Sequence, residues 1–308
     1  MDSVMRRRIV ILAFVALGLG AGMALITSCG DDPLSSRGRA RPECWKPLPT
    51  PPFDDLLVVD YSPVWSWTGK EIAFTSLFDS CNDLIPGELF IMDEKGVCRN
   101  SLGFQAAYYQ WFPHDTAIMF STSVFVGSRL RIFHLSTGTI TELPDAPIGS
   151  TMPIFGLSRD GKRVYVSDEQ IRIVEYNVVD FSKRVLSSYG GGFPQPSPDG
   201  NHLSFTFGFA LVILDLKNIP ALDTVVDTAA YAQWTPDGKN LVYADGNGQG
   251  IWIIDLESRA KKKLAKNSTL LSVSPDGRFV LYADFASDRS SRIFQVSIDG
   301  GTPKQITR

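Results

Sequence analysis

One pattern, a tight polar turn followed by an apolar strand, returns six times along this chain, and no other sequence feature restricts the fold as much. The copies are WSWTGKEIAF ending at Phe74, WFPHDTAIMF at Phe120, LSRDGKRVYV at Val166, PSPDGNHLSF at Phe205, WTPDGKNLVY at Tyr243 and VSPDGRFVLY at Tyr282. Aligned on the turn, they anchor at Gly69, Asp115, Gly161, Gly200, Gly238 and Gly277, with spacings of 46, 46, 39, 38 and 39 residues. A period of about 40 to 50 residues is the length of a four-stranded propeller blade. Within the turn, Pro presets φ, Asp hydrogen-bonds the following backbone, and Gly takes the positive φ that a tight hairpin requires. Three and five residues after each anchor stand apolar pairs, from Ile72 and Phe74 to Val280 and Tyr282. That period of two predicts a strand with one packed face. Four residues before the anchors stand Trp65, Trp111, Leu157, Pro196, Trp234 and Val273, expected to pack between neighbouring sheets.

A second apolar strand follows each hairpin: ELFIMD from Glu88, LRIFHL from Leu130, IRIVEY from Ile171, LVILDL from Leu211, IWIIDL from Ile251 and RIFQV from Arg292. A polar turn and a shorter strand then complete four strands per unit. Six such units predict an all-β, six-bladed β-propeller of four-stranded antiparallel blades over residues 53–308, an architecture that leaves only short sheet edges. The 26 Gly, 19 Pro and 19 Phe suit short strands joined by turns. The longer first and second units place extra residues in loops such as 77–87, candidate recognition surface. Leu56 to Asp60, LLVVD, is expected to pair with the last unit near Lys304 to Thr307 and close the ring.

SPDG at 197–200 and 274–277, TPDG at 235–238, the aliphatic and aromatic strand after each, and the closing GGTPKQIT resemble the WD40-like repeats of TolB-type β-propellers. The resemblance covers about Leu56 to Arg308 and implies the fold. It implies little about activity, because such propellers serve as binding platforms in many contexts. Periplasmic members of the family carry a separate N-terminal domain, for which this chain lacks the length. Copies 1 and 2 depart from the pattern, with Trp67-Thr68-Gly69 and His114-Asp115 in place of Pro-Asp-Gly.

The N-terminus reads as an address. Arg6, Arg7 and Arg8 precede an almost wholly apolar run from Ile9 to Ile26, and Ile26-Thr27-Ser28-Cys29 resembles the lipobox of bacterial lipoprotein precursors. The resemblance implies a signal peptide over 1–28, lipidation of Cys29, and, with Gly30 rather than Asp following, sorting to the outer membrane facing the periplasm. A transmembrane anchor is the competing reading of the apolar run. Residues 29–52, rich in Pro and Ser, are expected to be a semi-extended spacer.

Chemistry is sparse elsewhere. The inner strands beginning at Ser62, Tyr108, Ile154, Phe193, Tyr231 and Leu270 carry no Asp, Glu, His or Cys up to their turns, which disfavours a channel metal. Asp60, Asp79 and Asp83 are the nearest acids. No G-x-S-x-G occurs, and His114, His134 and His202 are scattered. Gly190 to Gly192 lead into a strand rather than a helix, so no phosphate cradle is implied. Lys261 to Lys263 form the compact basic run, either an edge-strand guard or a dock for an acidic partner or anionic lipid. With 30 basic against 33 acidic residues, nucleic acid is not an expected partner. If Cys29 is lipidated, Cys44, Cys81 and Cys98 leave one disulfide and one free thiol. Strand length sets Cys81 and Cys98 about 20 Å apart, so Cys44 pairing with one of them is preferred.

The expectation is therefore a non-catalytic, monomeric binding or scaffolding propeller without catalytic residues, metal or cofactor, held to membrane lipid through Cys29 and engaging an envelope protein, peptide or glycan. Tyr108, Ile154, Phe193, Tyr231 and Leu270 would either form an apolar binding rim or fill the narrow end of the channel. The alternative is an envelope hydrolase or lyase with a loop-built site at the propeller mouth.

Overall fold

The computed structural model describes residues 58–78, 87–121, 129–146, 154–188, 191–219, 221–226, 228–266, 270–285 and 290–307. Residues 1–57, with the expected leader and spacer, Cys29 and Cys44, lie outside them, as do Cys81, Asp79, Asp83 and most of the 77–87 insertion. Apart from one 3-10 turn at Pro113–Asp115, the described elements are all strands.

Repeats 2 to 5 each build one four-stranded antiparallel sheet. In the fifth, Tyr231–Trp234 pairs with Asn240–Ala244, then Ile251–Asp255, then Lys261–Ala265. The twelve apolar residues placed three and five after the anchors are all at most 3% exposed. The expectation of a single packed face is corrected, because Ala73, Met119, Tyr165, Val242 and Leu281, which point the other way, are also buried. Each hairpin strand is covered on both faces, as a sheet stacked between two neighbours must be. Trp65 and Trp111 are buried and Trp234 half-buried, as expected of residues between sheets.

The first and last repeats differ from the expected separate blades, for they share one eight-stranded sheet. Val59, paired with Leu77 inside its own hairpin, also pairs in parallel on its other side with Ser291 at the start of strand Ser291–Ser297. The expected pairing with Lys304 to Thr307 is not formed. Lys304–Gln305 already occupies the same edge further along, opposite Phe294 and Gln295, so Val59 takes the part that is left. Ser291 Oγ donates to Asp60 O at 2.8 Å across this join.

All inner strands run toward the repeated turns, which stand together on one face. Gly69 faces Pro275, Gly161 Pro113, Gly238 Pro198 and Gly277 Pro236, each turn lying against that of the preceding repeat. In repeats 3 to 6 a Ser or Thr three residues before the anchor donates to the turn Asp: Ser158 to Asp160, Ser197 to Asp199, Thr235 to Asp237 and Ser274 to Asp276, at 2.5 to 2.6 Å. The same hydroxyl accepts the N–H two residues past the anchor, from Arg163, His202, Asn240 or Phe279. Each turn is thus closed from both sides by local groups.

Candidate binding face and the closed axis

Two residues after the start of the inner strands, repeats 2, 4 and 5 carry Gln110, Gln195 and Gln233. These side chains tie the centre together. Leu157 N donates to Gln110 Oε1 at 2.8 Å and Val273 N to Gln233 Oε1 at 3.0 Å, each linking one repeat to the next. Ser272, at the same offset, accepts from Trp65 N at 3.0 Å and joins repeat 6 to repeat 1. The tryptophans act in the reverse direction: Trp111 Nε1 donates to Val64 O at 3.2 Å, and Trp234 Nε1 to Gln195 O at 3.0 Å. At this offset repeat 3 has Gly156, where a Cβ would lie 2.2 Å from Pro194 O, so the neighbouring backbone leaves no room for a side chain.

The glutamines also seat two tyrosines across the axis. Tyr108 and Tyr231, three repeats apart, meet hydroxyl to hydroxyl at 3.2 Å. Gln110 Nε2 and Gln195 Nε2 donate to Tyr108 Oη at 2.9 and 3.2 Å, and Gln233 Nε2 to Tyr231 Oη at 2.8 Å. Burial raises the pKa of both phenols, that of Tyr231 well above its ordinary value, so they stay neutral. The space left beside them, lined by Ser62, Tyr109 and Leu270 among others, is about 10 Å³, room for one water at most and too small for a ligand. Of the residues considered for a rim, Tyr108, Ile154 and Tyr231 are buried, and Phe193 and Leu270 are half-buried. They do not form an open rim. Tyr108 packs edge-on against Phe155, and Phe193 against Tyr231, filling the axis.

Lys261, Lys262 and Lys263 are exposed on the outermost strand of the fifth sheet, at its edge. Between this sheet and the last repeat lies a cleft of about 510 Å³, lined by Asp237, Asp255, Asp276, Asp299, Lys261 and Lys262 together with Ile253 and Ile298. The three histidines stay apart: His134 Nε2 lies 3.1 Å from Thr141 Oγ1, His202 stacks near Trp234, and His114 stands in the 3-10 turn. Cys98 is disulfide-bonded, and the other cysteines of the chain lie outside the described residues.

Sequence reasoning missed two features. Asp60, on the first inner strand but ahead of the segment read for acids, is fully buried and receives Arg99 Nη2 and Ser76 Oγ at 2.7 Å. The guanidinium crosses the rings of Phe74 and Phe90 to reach it. No local pattern signals a partner 39 residues away. The second is Asp115, which departs from the turn pattern of its own repeat and serves the neighbouring one. Its carboxylate accepts Trp67 N at 2.6 Å, Thr68 N at 3.1 Å and Thr68 Oγ1 at 2.6 Å. The two irregular copies therefore complement each other, and their coincidence in adjacent repeats was the available clue.

No known protein-family model matches the sequence, and no curated protein matches it. Solved structures do match. TolB from Acinetobacter baumannii superposes with a TM-score of 0.58 at 16% identity, covering 82% of this chain and 67% of that one. An oligogalacturonate lyase in complex with manganese gives 0.55 at 14% identity, covering 82% and 79%. A chain of a nidogen/laminin complex gives 0.56 at 11%, covering 82% and 94%. At such identities the likeness establishes the fold, a TolB-like β-propeller arrangement of antiparallel sheets.

Proposed function

We propose that this chain is a non-catalytic binding or scaffolding propeller of the bacterial cell envelope, made as a lipoprotein precursor and held to the outer membrane by an acylated Cys29. In this reading the eight-stranded sheet counts as two blades fused at the Val59–Ser291 pair, which gives the six blades that the repeats require. The observation that carries it is the tyrosine–glutamine closure of the axis. A channel sealed by Tyr108 and Tyr231 leaves the faces of the ring, not its interior, to meet a protein, peptide or glycan.

A second reading, an envelope lyase or hydrolase with its site in the loops, is favoured by the likeness to the manganese-bound lyase, although that likeness is one of fold. The test is capture from a native membrane extract with the chain carrying Cys29→Ser, followed by mass spectrometry, beside a metal analysis and an assay on oligogalacturonate. One envelope protein retained stoichiometrically supports the platform. A stoichiometric ion with turnover of the uronate polymer overturns it in favour of the enzyme. Metabolic labelling with a fatty acid checks the anchor, and label that persists after Cys29→Ser sinks it.

A further inference from the structure

Repeats 2, 3 and 5 join their third and fourth strands by one turn design. Gly138 N donates to His134 O at 2.8 Å, Phe181 N to Asn177 O at 3.0 Å and Arg259 N to Asp255 O at 2.9 Å, and the donor residue holds φ at +68°, +63° and +59° in the same order. Because the backbone is shared, the side chains at matching positions show what the turn itself requires. At the positive-φ position they are Gly138, Phe181 and Arg259, and two residues before it Ser136, Val179 and Glu257. On the outer strand, opposite Arg131, Val174 and Trp252, they are Glu142, Val185 and Lys263, with Thr224 at the same place in repeat 4. Repeat 3 alone of these sets large apolar side chains at all three positions, and they face solvent: Val179 is 69% exposed, Phe181 45% and Val185 48%.

The three residues belong to one edge. The Phe181 ring lies 6.3 Å from that of Tyr176, and Tyr176 stands opposite Lys183 as Val174 does opposite Val185, so Phe181 and Val185 lie on the same side of the sheet. The turn is fixed: Asn177 Oδ1 takes Val179 N at 2.8 Å, and Asp180 Oδ1 takes Ser182 N and Oγ at 2.9 and 2.6 Å. Val178 N donates to Lys162 O at 2.8 Å, which sets it on the turn face beside the repeated turn of its own sheet. Strand Lys183–Ser187 ends the order of that sheet. Asn177 N donates to Ser182 O at 2.9 Å, so by the alternation of an antiparallel ladder the main-chain groups of Arg184 point inward and those of Lys183 and Val185 outward. Charge guards such an edge at Lys263 in the fifth sheet, whereas the third sheet has Val185 there. The surrounding charges are unbalanced. Asp160 is held by Ser158 Oγ and Lys162 N, Asp180 by Ser182, and Glu175 shares Arg163 with Asp160 at 3.9 Å. Arg159, Lys162, Lys183 and Arg184 are exposed and form no ion pair among the described residues.

We propose that the outer edge of the third sheet, with Val179, Phe181 and Val185, docks an extended acidic segment of a partner protein, an inference that rests on the binding-platform reading above and names its partner class. The segment adds as a fifth strand, bonding to the outward main-chain groups of Lys183 and Val185. Its side chains alternate, so apolar residues on one side cover Phe181 and Val185, and carboxylates meet Lys183, Arg184 and Lys162. Main-chain bonds hold such a strand without selecting it. The apolar strip and the four unpaired cations select it, since a basic segment is repelled and a wholly polar one leaves Phe181 and Val185 in water.

The experiment titrates the full chain in detergent with a fluorescein-labelled peptide of alternating Glu and Val, read by anisotropy and by hydrogen–deuterium exchange. Binding should saturate, and the Lys183 and Val185 amides should exchange about tenfold more slowly in the complex, with 261–265 unchanged. The double variant Phe181→Gly/Val185→Glu installs the residues that repeat 2 carries as Gly138 and Glu142, so it should keep its melting temperature and lose about tenfold in affinity. Lys263→Glu, on the edge of the fifth sheet, should bind as the parent does, and a peptide of alternating Lys and Val should not bind. Absence of saturable binding overturns the edge, as does equal affinity in the double variant. Equal loss from Lys263→Glu overturns it in favour of diffuse attraction between charges. Protection of Lys183 and Val185 in the free chain that rises with protein concentration overturns it in favour of a second copy. Capture from the native membrane extract separates this edge from the reading beneath it. One envelope protein retained equally by the parent and the double variant keeps the platform and sinks the edge, while a stoichiometric ion with turnover of the uronate polymer sinks the platform itself.

Discussion

The turn face and the closing seam hold the same ring by different means. On the turn face, repeats 3 to 6 repeat one local design in which Ser or Thr, Asp and Gly bond within five residues of one another. At the seam, Val59 reaches Ser291, Arg99 reaches Asp60, and Gly96 approaches so closely that a Cβ would stand 2.4 Å from Ile306 O. Local designs are redundant, because any one turn has others beside it. The seam occurs once, so its residues should carry more stability each than any turn.

Removing residues up to Asp60 should produce the largest effect, since it deletes the only pairing between first and last repeats among the described strands. We expect a melting temperature lower by about 10 °C or more, at roughly 2–4 °C per kcal/mol for a chain of this size. An unchanged calorimetric melt would erase the contrast between seam and turns. Arg99→Met comes next, because it leaves the Asp60 carboxylate buried beside Ser76 with its counter-charge gone. Loss of one partner of such a pair costs about 3 kcal/mol, measured by urea unfolding, and Asp60→Asn in the same chain should recover part of it.

Gly156→Ala probes the axis, where the added methyl must displace Pro194 of the next repeat. Overpacking of this kind costs about 1–3 kcal/mol. Asp115→Ala should cost about 1 kcal/mol, and more than Asp160→Ala, because three donors on the neighbouring repeat lose their acceptor rather than donors in its own turn. Equal costs from the two variants would remove the special place given to the irregular repeats.

The smallest expected effect is the acid response of the turn face. The Ser197 hydroxyl, with the Asn201 amides, draws Asp199 down to about 2 against some burial. Burial opposes the same shift at Asp276, but Ser274 and Arg278 outweigh it and bring the carboxyl to about 2. Asp160 and Asp237 are lowered as well. A folded-state pKa below the unfolded value of about 3.9 gives stability that is present above that pH and lost as pH falls toward 2. These groups are exposed, so the decline should be shallow, and Asp276→Asn should flatten it in a melt series from pH 5 to pH 2.

The legible part of this molecule is the part set by short separations. Pro-Asp-Gly needs only its own φ values and side chains to make a hairpin, and Leu241 with Tyr243 needs only alternation to declare a strand, so turns and hairpins could be placed from residues alone. Burial of Val242 could not be read that way, because period two describes one strand and not the second neighbour stacked on its other face. Tyr108 and Tyr231 illustrate the limit at the candidate site. Their positions at the start of inner strands followed from the repeat, but a rim and a filled axis have the same sequence. Their closure is decided by hydroxyls meeting at 3.2 Å across the ring, with Gln110, Gln195 and Gln233 satisfying them. Asp60 with Arg99, and Asp115 with Thr68, likewise join residues more than 35 positions apart.

The sequence by itself determined the repeat, its turn chemistry, the strand period and the all-β architecture, because each depends on groups a few bonds apart. Only the tertiary structure decided that the first and last repeats share one sheet and that the axis is closed. Those outcomes depend on how sheets distant in sequence share space, a steric and dielectric competition that no local pattern records.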